Sequence, residues 1–369
     1  MGDHSRQSRG LETLGTEVRL LCPPPHEALV HNLSALRGTT AVFHRPDPGS
    51  LYREAMNSRV HPKYKTKYRV TNWTEYDQAL VKRGDITLWI SPSAILAWTA
   101  KASGRRGAPR KYTDLAIETA LTLRQVFRLP LRQAEGFLRS MFDLMGLSLE
   151  APDHTTLSRR STGLNVKLSA MESKKPIHLI LDSTGLSIVG EGEWAAAKHG
   201  GGGKRGWRKL HLGVDRAGMI QAQGLTDSSG DDAKTGIKII KKIKGKLASV
   251  TGDAAYDTVS IYEQACSRGA RVVVPPTRTA SVSRRKPRSA ARDRTIRKVA
   301  RIGRRKWKNE SGCHRQGVVE NAFFRYKSML GDRLHARGLA AQRVEVAIGC
   351  KILNRLLVLG RPHSVAIAP

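Results

Sequence analysis

The chain has 369 residues, enough for about two domains, and its 64 Lys and Arg residues against 31 Asp and Glu residues give a net charge of +33. A surplus of this size predicts a polyanionic partner, and nucleic acid is the first expectation. The sequence contains no long apolar run and no signal peptide, and its four cysteines form no C-x-x-C pair. A membrane protein, a zinc site and a disulfide framework are therefore all disfavoured, and a reducing cytosol is expected.

The leading part of the chain, residues 1–55, differs in composition from the rest. It contains Pro23–Pro25 and the turn-rich segment Arg45–Gly49, and few apolar positions recur at a regular spacing. We therefore predict that residues 1–55 are disordered, or that they are an over-extended start and that Met56 is the natural first residue. A genuine flexible arm is the alternative.

Residues 56–170 are expected to form a helical amino-terminal domain. The segment that begins at Asn72 has the pattern of a capping box, which is typical of a helix start. Apolar residues then recur at helical spacing in Thr113–Phe127 and again in Leu131–Met145. The pattern predicts successive helices with short connections.

A short, polar and basic third helix is predicted next. Asp153 is expected to cap it, and the helix carries Arg159 and Arg160. Two helices followed by such a helix resemble a helix-turn-helix, whose last helix enters a DNA groove. We therefore predict that Arg159 and Arg160 contact DNA. The alternative is a plain helical bundle whose third helix is only solvated.

After residue 171 the pattern becomes that of a mixed α/β domain, expected over residues 171–360. Apolar and alternating runs predict five strands, with two helices between the later ones. The strands are predicted at Ile177–Leu181, Lys209–Asp215, Met219–Thr226, Leu247–Thr251 and Arg271–Pro275, and the helices at Asp231–Lys244 and Asp257–Arg268. With one more helix, predicted over residues 314–331, this is the element order of a ribonuclease-H-like (retroviral-integrase-like) domain.

Two insertions are expected in this domain, at residues 189–207 and 277–312. The first contains Gly200–Lys204 but lacks the hydroxyl residue of a Walker A loop, so we do not expect a nucleotide there. In the second, residues 277–308 contain 14 Lys or Arg residues and a single acid. Such a run is often merely solvated. Here we expect it to line the mouth of the site, with Arg284 and Arg285 against a phosphate backbone.

The last helix of the predicted domain carries an acid beside its buried face. The apolar positions recur at helical spacing and are Val319, Phe323, Tyr326 and Leu330. Glu320 lies at the edge of this stripe, and Lys327 lies two turns further along the same side. A carboxylate so near a core is costly without a charged partner, and a metal ion is the obvious one. Taken alone, Glu320 is better interpreted as a surface residue of an amphipathic helix, and the other acids of the chain reverse that interpretation.

Two further acids are placed where they could share that metal. Asp182 follows the first predicted strand and Asp253 follows the fourth, and these strands are neighbours in a ribonuclease-H-like sheet. Glu320 would reach both from the helix packed on the sheet. Three converging carboxylates repel one another unless divalent cations lie between them, and an all-oxygen site suits Mg²⁺ or Mn²⁺. We predict that Asp182, Asp253 and Glu320 bind the metal, with room for two ions.

Other polar residues compete for roles at the same sheet edge. The competing acids are Asp227, Asp231, Asp232 and Asp257. We predict that Asp231 caps a helix and that Asp257 begins the next one. Lys209 and His211 lie on a strand nearby and are candidate DNA contacts, although His211 could equally be a hydrogen-bonded sheet residue.

From about Met56 to its end, the chain resembles the DDE-type transposases of bacterial insertion sequences, close to the family named after insertion sequence 5. The resemblance is carried by the Asp-Ser-Thr-Gly segment at Asp182, the Gly-Asp-x-x-Tyr-Asp segment at Asp253, and Glu320 with Lys327 seven residues on. It implies that the three acids are the catalytic triad and that Lys327 contacts a terminal phosphate.

The related signature has an Arg four residues before the Glu and a Tyr three residues before that Arg. This sequence has Gln316 and Cys313 at those positions. We expect Arg315 or His314 to take over the phosphate contact of the missing Arg.

The resemblance implies a transposase that binds its element's terminal inverted repeats and hydrolyses the strands at the element ends. The freed 3′ hydroxyls would then attack target DNA by in-line phosphoryl transfer. It also implies double-stranded DNA as partner, a homodimer in the synaptic complex, a location in the bacterial cytoplasm at the nucleoid, and no membrane. Two alternatives remain: a ribonuclease-H-like nuclease that cuts without joining, and an inactive helix-turn-helix DNA-binding protein.

Overall fold

The computed structural model describes residues 18–20, 68–83, 88–101, 109–168, 175–189, 206–284, 286 and 288–366. Most of the leading 55 residues, the proposed start at Met56, the glycine-rich part of the first insertion and Arg285 lie outside these ranges. Within the described ranges, no helix combines the length and the apolar composition that a membrane crossing requires.

Strands and α-helices are each numbered in chain order. The strands are β1 Val18–Leu20, β2 Tyr68–Val70, β3 Leu88–Ile90, β4 Ile177–Ile188, β5 Trp207–Val214, β6 Ile220–Asp227, β7 Leu247–Thr251, β8 Arg271–Val273, β9 Arg333–Leu334 and β10 Ser364–Ala366. The α-helices are α1 Trp73–Lys82, α2 Pro92–Leu96, α3 Asp114–Val126, α4 Leu131–Leu144, α5 His154–Arg160, α6 Asp232–Lys242, α7 Val259–Cys266, α8 Ala290–Ile302, α9 Arg304–Ser311, α10 Gly317–Leu330 and α11 Leu339–Leu359.

The chain divides into two compact units, and the smaller one comprises residues 19–89 and 359–369. Within it, β2 pairs antiparallel with β10, and α1 begins after Asn72. The predicted capping box at Asn72 is wrong, because the side chain makes no cap hydrogen bond. It instead donates to the carbonyl of Arg361 at 3.1 Å and accepts from the backbone N–H of His363 at 2.6 Å.

The three predicted helices of the amino-terminal part are confirmed as α3, α4 and α5. Thr113 caps α3 through its side chain, and Asp153 caps α5 by accepting from two backbone N–H groups. These helices belong to the larger unit, residues 90–358, which also contains the central sheet. An ion pair of 2.6 Å joins Glu118 of α3 to Lys351 of α11. A separate DNA-binding domain over residues 56–170 stays a prediction.

The central sheet has the strand order β6-β5-β4-β7-β8, with β9 pairing on β4. Its first three strands form an antiparallel meander, whereas β4, β7 and β8 run parallel. The predicted order of strands and helices is confirmed, and the larger unit is a mixed α/β fold consistent with a ribonuclease-H-like domain. One prediction is wrong: β4 does not end at Leu181, because its pairing with β5 continues to Ser187.

One face of the sheet carries the main apolar core. Leu179 and Leu181 of β4 pack with Val250 of β7 and with the buried side of α6, which includes Ile239 and Ile240. Because side chains alternate along a strand, His178, Ile180 and Asp182 lie on the opposite face. Helix α10 packs on that opposite face, against β4 and β5.

The basic insertion is folded over most of its described length. The alternative of a merely solvated run does not hold for α8 and α9, which together cover most of residues 290–311. Arg292 forms an ion pair of 2.8 Å with Asp257, whose side chain is 0% exposed. Trp307 is buried against Val273 and Cys313. The prediction that Asp257 begins α7 is therefore wrong: Thr258 caps that helix, and Asp257 anchors the insertion.

Candidate active site

Asp182 lies inside β4, opposite Leu212 of β5, whereas the prediction placed it directly after the strand. Its carboxylate is half-buried and accepts a hydrogen bond of 2.7 Å from the backbone N–H of Ser183. Burial, followed by the negative charges of nearby carboxylates, raises the pKa of Asp182 to about 6. A position inside a doubly paired strand holds this carboxylate on a rigid support.

In the Gly-Asp-x-x-Tyr-Asp segment, Gly252, Asp253 and Tyr256 each have a distinct structural role. A Cβ at Gly252 would lie 2.8 Å from the ring of the buried Tyr256, so only glycine permits this packing. Tyr256 folds back as part of a short 3-10 helix that Asp253 caps through the N–H of Ala255. Asp253 is thereby fixed just after β7, next to the strand of Asp182.

Glu320 lies in the first turn of α10, and its side chain is exposed. The apolar stripe predicted for this helix is confirmed, since Val319, Phe323, Tyr326 and Leu330 are all buried. Two turns further on, the Lys327 ammonium donates a hydrogen bond of 2.9 Å to the Thr184 hydroxyl of β4. Lys327 therefore lies beside the strand segment that carries Asp182.

The charges of the two other predicted acids act on Asp182. After burial, the charges of Asp253 and Glu320 are among the causes that raise the pKa of Asp182. Burial also raises the pKa of Asp253. No ion pair neutralises any of the three acids within the described part of the chain. The three acids therefore give this part of the protein a local excess of negative charge, although the net charge of the chain is strongly positive.

This donor set fits a divalent cation in its chemistry. Carboxylate oxygens are the ligands that Mg²⁺ and Mn²⁺ prefer, and Asp182, Asp253 and Glu320 retain oxygens that no protein donor occupies. Among the described residues, however, no group of three Asp, Glu, His or Cys side chains is already close enough together to hold a metal ion. Binding would therefore require the three side chains to close in on the cation.

A fourth acid, Asp232, lies at the same sheet edge. At the start of α6 it forms an ion pair of 3.0 Å with Lys209 and lies 3.4 Å from the Nδ1 atom of His211. Burial favours its neutral form, but hydrogen bonds from Ser183 and Lys209 outweigh burial and lower the pKa of Asp232. Its negative charge is also among the causes that raise the pKa of Asp182. Asp231, by contrast, caps α6 as predicted.

The two strand residues predicted to contact DNA are both engaged within the protein. His211 is 1% exposed, and its Nε2 atom lies 2.9 Å from the Thr226 hydroxyl. Burial lowers the pKa of His211 to about 4. These surroundings match the alternative interpretation of His211, that of a hydrogen-bonded residue within the sheet. Lys209 donates to Asp232 and to the Gly230 carbonyl, both at 3.0 Å.

The other predicted DNA contacts differ in their accessibility. Arg159 on α5 and Arg284 before α8 are exposed. Arg160 forms an ion pair with Asp114 and donates to the Tyr112 carbonyl at 2.8 Å, so it joins α5 to α3. These DNA contacts stay predictions.

Arg315 lines a recess together with two arginines that sequence reasoning missed. Arg216 lies in the turn between β5 and β6, and Arg271 opens β8. Each is isolated in sequence, so no basic cluster marks them. No sequence signal joins them either, because the strands beside them, β5 and β8, are separated in the sheet by β4 and β7.

Two protein-family models, both described as the transposase DDE domain, match this chain. One matches residues 81–191 and the other matches residues 173–355. Together they extend over more than half of the chain, and the second spans the sheet and helix that carry all three acids. The chain therefore carries a transposase DDE domain, the domain of an enzyme that cleaves DNA and transfers its strands. Its function is in DNA transposition, which implies DNA binding, and enzymes with this domain generally use a divalent metal.

Proposed function

We propose that this DDE transposase binds the terminal inverted repeats of an insertion sequence, hydrolyses the strands at its ends and joins the freed 3′ hydroxyls to target DNA. The observation that supports the proposal is that the negative charges of Asp253 and Glu320 help to raise the pKa of Asp182, although among the described residues the three side chains are not yet close enough to hold a metal ion. They come from three different elements and have no neutralising cation among the described residues. Folding alone does not require these like charges near one another, because nearby negative charges disfavour the ionised form of a half-buried carboxylate such as Asp182.

Asp182, Asp253 and Glu320 are the proposed metal ligands and catalytic residues, and the proposed cofactor is two Mg²⁺ or Mn²⁺ ions. When bound, such ions supply activation of the attacking hydroxyl and stabilisation of the leaving oxygen. The three carboxylates would hold the ions from three elements: Asp182 from β4, Asp253 from the end of β7 and Glu320 from α10. Lys327, held by its hydrogen bond to Thr184, is positioned to bind a phosphate oxygen of the strand being cut.

DNA binding is proposed to use basic surfaces outside the triad. Arg159 on the exposed side of α5 is a candidate for groove contacts. The insertion offers exposed cations for the phosphate backbone, among them Arg284, Lys286 and Arg288. Two element ends must be held together for transposition, so we propose that a homodimer forms the synaptic complex. We also propose that this chain is close to the transposase family named after insertion sequence 5.

The test is a cleavage assay on uncut element ends, run beside a strand-transfer assay on pre-cut ends with Mg²⁺. The variants are Asp182→Asn, Asp253→Asn and Glu320→Gln. The matched control is Glu263→Gln, which removes an exposed helical carboxylate from α7. We expect each triad variant to lose cleavage and joining while it retains end binding, and we expect the control to keep all three activities.

The outcomes separate the possible functions. Cleavage without joining by the parent protein would indicate a nuclease, and end binding without either reaction would indicate an inactive DNA-binding protein. If one of the triad variants cleaves DNA nearly as well as the parent, the acid substituted in that variant is not part of the active site.

A further inference from the structure

The recess lined by Arg315 lies on the same sheet face as Asp182. It is a small depression: the centre of a water molecule could move within only about 10 Å³, and the roughly 260 Å³ between its walls includes open solvent. Its walls come from β4, β7 and β8, from the turn after β5 and from the segment that leads into α10. The lining residues are His178, Ile180, Arg216, Ser249, Thr251, Arg271, Val273, Ser311, Gly312 and Arg315.

Three guanidinium groups border this recess with no acid to neutralise them. Within the described part of the chain, Arg216, Arg271 and Arg315 form no ion pair, and Arg271 makes only a long contact of 3.5 Å to the Ser311 carbonyl. Burial, followed by the charges of Arg315 and Arg271, lowers the pKa of Arg216. All three arginines are exposed, so solvent weakens their mutual repulsion, and their grouping around one recess offers a surface that attracts an anion.

The floor of the recess offers neutral hydrogen-bonding groups. The Ser249 and Thr251 hydroxyl residues are buried, and the Nδ1 atom of His178 lies 2.8 Å from the Ser249 hydroxyl. Burial, followed by the three neighbouring arginines, lowers the pKa of His178. Cationic walls above a neutral polar floor suit a tetrahedral oxyanion, since guanidinium groups bind phosphate through paired N–H donors.

We propose that the recess formed by Arg216, Arg271 and Arg315 is a binding site for a phosphate group. Its position points to a role beside the active site. Ile180 of β4 and Thr251 at the end of β7 lie two residues before Asp182 and Asp253, so the recess begins roughly 7 Å behind the acids. A DNA strand that passes the acids could place a flanking phosphate there. That DNA assignment rests on the proposed function, whereas phosphate binding itself does not.

The test begins with inorganic phosphate and the full-length protein, without DNA or metal. Thermal unfolding is followed as phosphate is added at low ionic strength. We expect phosphate at about ten times its Kd to raise the Tm of the parent by roughly 2–4 °C. The variant Arg216→Gln/Arg271→Gln should lose most of this shift. Because it has less charge repulsion, its Tm without phosphate should equal or exceed that of the parent.

The matched control is Lys238→Gln/Lys241→Gln, which removes the same charge from exposed positions of α6 on the other face of the sheet. It should keep the parental phosphate shift, so a loss in both double variants would indicate only a general charge effect. A parental shift in the arginine variant, or no shift in the parent, would overturn the proposal.

A second measurement separates DNA phosphate from a free phosphate ion. If one DNA phosphate occupies the recess, the slope of log K against log salt for end DNA should become shallower by about 0.9 in the arginine variant. An unchanged slope with a lost phosphate shift would assign the recess to a free phosphate compound. If the parent protein neither cleaves nor joins DNA, the phosphate titration can still show binding in the recess. The proposed function and the proposed phosphate site can therefore fail separately.

Discussion

At the scale of single residues, Asp182 links the chemistry of the site to the stability of the fold. Burial and neighbouring carboxylates raise its pKa from 3.8 to about 6, so the folded protein binds this proton more tightly than the unfolded chain does. The stabilisation from that proton is complete below pH 3.8 and is lost as the pH rises through about 6. At neutral pH the ionised Asp182 therefore weakens the metal-free protein.

We predict that Asp182→Asn flattens the dependence of unfolding free energy on pH between about 4 and 6 in metal-free buffer. At pH 7 the variant should be no less stable than the parent. Added Mg²⁺ should stabilise the parent by mass action and the variant much less. Denaturant unfolding at several pH values, with and without Mg²⁺, measures both effects. A variant that unfolds at every pH would show that Asp182 is a structural partner.

The three acids were proposed from sequence because each stands in a recognisable local pattern, and their role as metal ligands stays a prediction. The neighbouring Asp232 could not be assigned in the same way, since its ion pair with Lys209 joins residues that are distant in sequence. For the same reason the sequence left two roles open for His211. Only the fold shows that its ring lies between Thr226 and Asp232.

At the scale of elements, strand and helix types followed from periodicity, but their ends depended on pairing. The apolar run at the start of β4 ends at Leu181, whereas hydrogen bonding to β5 carries the strand on through polar residues to Ile188. Helices α8 and α9 were missed because the density of charge resembles that of a disordered run. Their stability comes from contacts with distant residues, the buried Asp257 above all.

We predict that Arg292→Met destabilises the protein by about 3–5 kcal/mol, because it leaves the fully buried carboxylate of Asp257 without its cationic partner. The matched control is Arg297→Met, which makes the same substitution at an exposed position of α8. It should change stability by less than about 0.5 kcal/mol. Urea unfolding of both variants provides the comparison. Equal losses would mean that the ion pair does not anchor the insertion.

At the scale of the whole molecule, composition predicted the class of partner but not the arrangement of the units. The predicted boundary near residue 170 rested on a change of periodicity, yet α3 and the central sheet belong to one compact unit. Periodicity describes the local chain and carries no information about which elements pack together. The pairing of β2 with β10, which joins residues from opposite ends of the chain, is likewise not encoded in any local pattern.

The net charge of +33 should act in opposite directions on folding and on binding. In the free protein, the excess cations repel one another, and salt screens this repulsion within a Debye length of about 8 Å at physiological ionic strength. We therefore predict that the Tm of the free protein rises as NaCl increases from about 0.05 to 0.3 M. Affinity for end DNA should fall over the same range, because salt opposes counterion release.

The variant Arg284→Gln/Lys286→Gln/Arg288→Gln tests both effects at once, since it removes three exposed cations before α8. Its Tm should rise less with NaCl than that of the parent. If all three cations contact phosphates, its slope of log K against log salt should be shallower by up to about 2.7. Thermal unfolding and DNA titration across the NaCl series measure the two quantities. A Tm that does not change with salt in the parent would show that ion pairs already compensate the surplus charge, and an unchanged DNA slope would show that these three cations are only solvated.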